Sequence, residues 1–342
     1  MKYLRAPKLI YYKFSLGNMA STQVKWIFTR SIGMYFKNLN NTFKKPETIN
    51  ILKWMLGWHD EARPKSPSTG VLVPYHYNDG KVLKKSNHDT LTWIGQASFL
   101  IQLGGKNILI DPVLSSSLGW YKRNSPPGLT LATLPKIDIV LITHNHRDHM
   151  DAPTLQKLGS DPIYVIPKGL GVWFKKNGLD RIVEMGWWQQ ENIEGINISF
   201  VPAEHWSRRT LTDTNTSWWG GFIIERDGIF TYHAGDTGWF DGFEMIAEKY
   251  PKIHAALLPI GAYAPRWFMK TQHVNPDEAV RIFTTLKANY FISMHWGTFK
   301  LSDEPLDEPP VALRLAWEQQ NLPDKPLKIP AIGETLFFDT MD

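Results

Sequence analysis

Ile137-Asp138-Ile139-Val140-Leu141-Ile142-Thr143-His144-Asn145-His146-Arg147-Asp148-His149 is the stretch that decides the fold. An apolar run of strand length passes directly into three imidazoles and one carboxylate within positions 144–149. Such a run reads as a strand buried in an α/β sheet, and the turn behind it gathers His144, His146, Asp148 and His149 outside the strand's carboxyl end, where open α/β sheets bind their ligands. Imidazole nitrogen with carboxylate oxygen suits zinc, and manganese or iron also accept that donor set.

Four ligands around one closed ion would make a structural site, so the rest of the chain has to decide. Three later strand-like runs each end in a ligand-type residue: Ile198-Ser199-Phe200-Val201 before Glu204-His205, Ile229-Phe230-Thr231-Tyr232 before Gly235-Asp236, and Tyr290-Phe291-Ile292-Ser293-Met294 before His295. Taken singly, His205, Asp236 or His295 reads better as a core or cap residue; their weight comes from the set. His144, His146, Asp148, His149, His205, Asp236 and His295 are too many for one ion. Two ions fit better, with His144, His146 and His205 on one, Asp148, His149 and His295 on the other, and Asp236 between them. Ions with incomplete protein shells keep room for water and lower its pKa toward neutrality.

With these residues in view, the chain resembles the metallo-β-lactamase superfamily, whose hallmark is an H-x-H-x-D-H turn followed by a distant His, Asp and His. Zero cysteines set aside its Cys-ligated β-lactamase subclasses. Further stretches, Trp93-Ile94-Gly95-Gln96-Ala97-Ser98, Ile110-Asp111-Pro112, His205-Trp206-Ser207-Arg208-Arg209-Thr210, Pro259 through Gln272-His273-Val274, and His295-Trp296-Gly297-Thr298-Phe299, look like the N-acylphosphatidylethanolamine-hydrolysing phospholipases D. That resemblance covers roughly residues 90 to 312. It implies a four-layer αβ/βα sandwich and a zinc phosphodiesterase that releases N-acylethanolamine and phosphatidic acid from a phospholipid substrate. It also implies a homodimer, the seven residues above as ligands of two zinc ions, and His273 near the substrate phosphate. Asp148, Asp236 and His273 are then the candidate catalytic residues, and Arg147, Tyr263, Gln272 and His273 the candidate substrate contacts. Arg147 departs from the family pattern, which has an aromatic residue there in mammalian members; that leaves another ester, such as an acyl lactone or a different phosphodiester, as the alternative substrate.

Composition bounds the remaining choices. The 342 residues are 43% hydrophobic, ample for a sizeable core. No apolar run reaches spanning length, and the first residues lack a signal-peptide pattern. The lack of cysteine fits a reducing cytosol and is compatible with the periplasm. Residues 1–50 hold nine Lys or Arg against the single acid Glu47, a balance of +8 in a chain of net +5, so the remainder is net −3. Aromatic and aliphatic residues interleave with that charge, as in Tyr11-Tyr12-Lys13-Phe14, a composition suited to an anionic membrane surface. A peripheral membrane or cytoplasmic enzyme is therefore expected. A membrane-surface binding protein with a structural metal site is the reading of another class. No nucleic-acid-reading motif accompanies the charge, so nucleic acid is not expected as a partner.

Residues 1–86 read as a basic extension and linker wrap, with Arg63-Pro64-Lys65-Ser66-Pro67 as its extended part, and 87–342 as the catalytic domain. Within the latter, Gly104-Gly105 predicts a turn between two strand-like runs, and Asp227-Gly228 a two-residue hairpin. Leu170 to Lys176 reads as a helix ended by Gly178. Asn275-Pro276-Asp277-Glu278 opens a helix with cap, proline and capping-box acid in their preferred places. Asp111, ending a strand, is the expected orienter of the ligand imidazoles. Trp206, Trp218, Trp219, Tyr263 and Trp267 are candidates to line an acyl-chain channel.

Overall fold

The computed structural model describes residues 35–39, 48–58, 73–84, 88–324 and 326–341. Most of the basic segment 1–50 and the whole of 63–70 lie outside the described residues.

Two seven-stranded sheets face each other. One runs, in spatial order, Thr335–Phe337, Thr90–Gly95, Ser98–Leu103, Lys106–Ile110, Ile139–Leu141, Ile163–Pro167, Ile182–Met185; the other runs Leu327–Lys328, Tyr290–Met294, Ile253–Pro259, Ile229–His233, Gly221–Arg226, Ile196–Val201, Gln190–Ile193. Each is antiparallel in one part and parallel in the other. The opening segment makes three strands rather than two, because Gln96 at φ 53° and Ala97 turn the chain ahead of the Gly104-Gly105 turn.

The unbroken apolar runs are explained by burial on both faces. Leu91, Trp93, Phe99, Ile101, Ile108, Ile110, Ile139 and Leu141 point between the sheets, where they meet Ile198, Phe200, Phe222, Ile224 and Leu257. Their neighbours Ile94, Leu100, Leu109, Val140 and Ile142 point the other way and are covered by Leu155 and Phe174 of the helices Ala152–Leu158 and Gly171–Lys176. A one-residue slip would exchange the two sets, so the register is held by the whole core. Each fully buried side chain of this size contributes about 1.5–3 kcal/mol. On the far side, Val280, Phe283 and Leu286 of the helix Pro276–Leu286 and Leu313 and Trp317 of Glu308–Gln319 cover the second sheet. Helix, sheet, sheet and helix make the expected four layers.

Local signals produce the elements they predict. Asp227 and Gly228 take φ of 52° and 84°, the doubly positive turn that two-residue hairpins need. Asn275 accepts from the Glu278 backbone N–H at 2.9 Å and the Glu278 carboxylate accepts from the Asn275 N–H at 3.1 Å, closing the capping box.

The described parts of the N-terminal extension pack on these layers. Val73 belongs to the inter-sheet core, and the N–H groups of His76 and Ile332 donate to Ile332 and Pro74 carbonyls at 2.8 Å each. Phe36 lies 4.5 Å from the Trp218 ring, and Trp54 of the helix Thr48–Leu56 donates to Asp303 at 3.0 Å. Among the described residues no helix is long and apolar enough to cross a membrane.

Candidate metal centre

All seven candidate ligands meet at one edge of the sandwich, each just beyond the carboxyl end of its strand. The turn 143–150 follows Ile139–Leu141, with the Met150 N–H donating to the His146 carbonyl at 2.8 Å. His205, Asp236 and His295 follow Ile196–Val201, Ile229–His233 and Tyr290–Met294, and His295 makes its corner at φ 62°. The donors fall into two groups, His144, His146, His205, Asp236 and Asp148, His149, Asp236, His295, and within each group all donor atoms lie within 4.8 Å of one another. Asp236 belongs to both. This is the partition the sequence predicts.

The spacing fits a cation in each group. In the first, His144 Nε2 and His205 Nε2 lie 2.9 and 3.2 Å from His146 Nδ1, with Asp236 Oδ2 3.9 Å from each of those Nε2 atoms. In the second, His295 Nε2 is 3.0 Å from Asp236 Oδ1, 3.3 Å from Asp148 Oδ2 and 3.3 Å from His149 Nε2, which itself is 3.1 Å from Asp236 Oδ2. Donors bound at about 2.0–2.1 Å in a tetrahedron stand roughly 3.3–3.4 Å apart. Outward hydrogen bonds fix which nitrogen faces in. His205 Nδ1–H donates to the Gln272 carbonyl at 3.0 Å and His149 Nδ1–H to Asp111 Oδ2 at 2.7 Å, leaving both Nε2 lone pairs turned toward the cluster.

Electrostatics point the same way. Burial, with the neighbouring imidazoles, pushes His144 and His146 well below the ordinary value, and burial takes His205 down to about 4, so these three present free lone pairs. Burial also opposes charge on His149 and His295, yet Asp236 and Asp148 outweigh it, holding His149 high and raising His295 to about 9. The carboxylates of the second group thus demand positive charge, which either protons or a cation can supply.

Asp111 takes the expected orienting position. Its carboxylate is fully buried and accepts from the Thr143 N–H at 2.8 Å, the Thr143 hydroxyl at 2.6 Å and His149 Nδ1–H. His273 stands over the cluster with Nδ1 3.9 Å from Asp236 Oδ2, and burial lowers it to about 3, so its ring is neutral at pH 7. Arg147 is exposed and lines a cleft of about 560 Å³ beside His146 and Asp148, together with Trp120, Tyr121, Trp206, Arg208 and Leu301. Two predicted contacts are engaged within the protein. The buried Gln272 side chain accepts from Trp206 Nε1 at 2.6 Å, and the Tyr263 hydroxyl donates to Glu308 at 2.5 Å. Of the flagged aromatics only Trp206 lines the cleft; Trp218 packs on Phe36, and Trp219 is buried, its indole donating to Asn38 at 2.8 Å.

Other contributors reach the site from segments distant in sequence. Gln96 Nε2 donates to Asp148 Oδ2 at 3.0 Å and lies 2.9 Å from His295 Nε2. Asn38, from the extension, donates to the His205 carbonyl at 2.9 Å. Arg209 Nη1 donates to the Asn145 and Met150 carbonyls at 3.2 and 2.7 Å, clamping the histidine turn from outside. Residues 106–296 match the family described as the β-lactamase superfamily domain. The chain belongs to the metallo-β-lactamase superfamily.

Within that superfamily it is a metal-dependent hydrolase. It is 38% identical over 262 residues to N-acyl-phosphatidylethanolamine-hydrolyzing phospholipase D, mitochondrial, of Saccharomyces cerevisiae, covering 72% of this chain and 56% of that protein. The chain thus spans little more than half the yeast protein's length. It is 32% identical over 285 residues to N-acyl-phosphatidylethanolamine-hydrolyzing phospholipase D 1 of Caenorhabditis elegans, covering 78% of this chain and 80% of that one. Among solved structures, the metallo hydrolase Igni18 of Ignicoccus hospitalis superposes with a TM-score of 0.56 at 26% identity, covering 73% of this chain and 98% of that one.

Proposed function

We propose that this protein is a phosphodiesterase of phospholipase D type that hydrolyses N-acylphosphatidylethanolamine to N-acylethanolamine and phosphatidic acid. The observation that carries the reading is the pairing of two donor groups across one shared carboxylate, Asp236, beneath a neutral His273 and beside an aromatic, cationic cleft. The named substrates of the yeast and worm relatives supply the chemical class.

His144, His146 and His205 would hold one divalent cation and Asp148, His149 and His295 the other, with Asp236 shared. Zinc suits the donors. Such a pair supplies Lewis acidity toward a phosphoryl oxygen and acidifies water toward neutral pH. In the reaction a water oxygen bonds to phosphorus, the bond from phosphorus to the ethanolamine oxygen breaks, and that oxygen leaves with a proton. His273, neutral and without a hydrogen-bond partner at Nδ1 among the described residues, is placed to donate its other N–H to a phosphoryl oxygen. The Asp111–Thr143–His149 chain keeps the donor nitrogens facing inward while charge develops. Trp206, Trp120 and Tyr121 give the cleft an apolar wall for acyl chains. We place the enzyme at an anionic membrane surface, engaged through its basic first segment.

The test is to incubate metal-loaded protein with N-acylphosphatidylethanolamine and identify the products. N-acylethanolamine and phosphatidic acid are expected, with loss of turnover in His146→Ala. Failure to form them, with an acyl lactone or another phosphodiester cleaved instead, would replace the substrate while keeping the metal chemistry. Liposome binding without turnover of any ester would favour a membrane-binding role.

A further inference from the structure

The cleft beside the donor groups holds positive charge that the fold does not use. Arg209 is spoken for by the carbonyls of the histidine turn and by the Trp173 face, with its guanidinium 5.4 Å from that ring. Arg147 and Arg208 are different. Neither has an ion-pair partner or hydrogen-bond acceptor among the described residues, although both line the cleft that His146 and Asp148 open into. Arg208 is not loose: its guanidinium lies 5.3 Å over the Trp206 ring. Trp206 in turn packs 4.7 Å from His146 and is pinned through Nε1 to Gln272 Oε1. The run of contacts Arg208–Trp206–His146, edge to face at its second step, therefore sets a cation one ring away from a candidate metal-donor imidazole. Arg147 brings a second, since it sits between His146 and Asp148 in the chain and its field helps depress Arg209. The acid that shares this wall, Asp148, is engaged by Gln96 and His295 through Oδ2, so like charges gathered beside it cost free energy unless an anion answers them.

We propose that Arg147 and Arg208 form an anion subsite that grips the phosphate as it passes from diester monoanion to monoester dianion. This rests on the phosphodiesterase reading and deepens it, because two guanidiniums here favour the doubly charged product side and select phosphodiesters over neutral esters and lactones. Planar guanidinium groups bind two phosphate oxygens at once, which a single lysine charge does not reproduce. The aromatic face under Arg208 keeps its side chain extended over the cleft, so little rotamer freedom is lost on binding.

The test uses the full-length, metal-loaded protein and calorimetric binding of dihexanoyl phosphatidic acid, glycerol 3-phosphate and a neutral short-chain N-acylethanolamine. The double variant Arg147→Gln/Arg208→Gln should bind both phosphate monoesters about ten- to a hundredfold more weakly, with a shallower salt dependence. Its affinity for the N-acylethanolamine, its metal content and its melting temperature should match the parent. Arg147→Lys/Arg208→Lys should recover only part of the loss. Equal affinity for glycerol 3-phosphate in parent and double variant overturns the subsite, as does a loss confined to the diacyl ligand. These binding results do not depend on turnover: failure to hydrolyse N-acylphosphatidylethanolamine would remove the substrate, whereas phosphate binding indifferent to the arginines would remove the subsite alone.

Discussion

Asp111→Asn tests how the donor nitrogens are held. Three hydrogens converge on the two oxygens of Asp111: from the Thr143 N–H at 2.8 Å, the Thr143 hydroxyl at 2.6 Å and His149 Nδ1–H at 2.7 Å. An asparagine offers one oxygen. If that oxygen faces the Thr143 backbone, the new amide N–H₂ faces the hydroxyl and the imidazole. Thr143 can rotate to accept, but His149 must then shift its proton to Nε2, the atom 3.1 Å from Asp236 that faces the second donor group. If the amide turns over, a buried backbone N–H loses its acceptor at a cost of about 1–3 kcal/mol. The first arrangement is cheaper for folding and puts the damage on the metal. Disturbing such an orienting carboxylate lowers metal affinity by about 10–100-fold, which is roughly 1.4–2.7 kcal/mol. Thr143 Oγ1 also lies 3.0 Å from His144 Nδ1, so a smaller loss should reach the first group. Zinc titration against a chromophoric competitor, with cations counted per chain, measures both steps. Parent-like affinity at both steps in Asp111→Asn would refute the tautomer argument.

Three further outcomes are expected. Asn38→Ala should remove the donor to the buried His205 carbonyl and one acceptor of Trp219, lowering stability by about 1–3 kcal/mol in urea unfolding; an unchanged midpoint would dismiss the tether. His233 is buried, donates through Nε2 to the Ala97 carbonyl at 2.8 Å, and burial pushes it below its ordinary 6.5. Because the folded state takes up that proton less readily than the unfolded chain, stability is intact above pH 6.5 and falls as pH drops below it, by up to about 1.4 kcal/mol per pH unit. His233→Gln should flatten that slope in melts from pH 7 to 5, and an identical slope would assign the acid sensitivity elsewhere. Saturating zinc at about a thousand times its Kd should stabilise the chain by roughly 4 kcal/mol relative to chelator-treated protein, and melting curves that coincide would count against both donor groups as a cation site.

Much of the site was readable from residue types in order, because each donor follows the end of a strand and strand ends in this topology share one edge. The hairpin at Asp227-Gly228 and the capped helix at Asn275 were equally legible, since their signals act within a few residues. The roles of Gln96, Asn38 and Arg208 were not, although Gln96 and Arg208 lie in stretches that carry the family likeness. Gln96 reaches Asp148 and His295 across 52 and 199 positions, and Asn38 reaches His205 across 167, so no local pattern assigns these contacts. Gln272 and Tyr263 were singled out with the stretch that carries the family likeness, but side-chain direction is set by packing: Trp206 and Glu308 take up their polar atoms.

The order of residues alone determined the two-faced strands and the turns and named the seven candidate donors with their expected split about Asp236, because these follow from periodicity, backbone preference and ligand chemistry. Only the folded chain decided the distances that gather the donors, the proton positions set by Asp111 and Gln272, and the use of an N-terminal asparagine to hold His205. Those depend on distances between segments far apart in sequence, which long-range packing sets and local propensity does not encode.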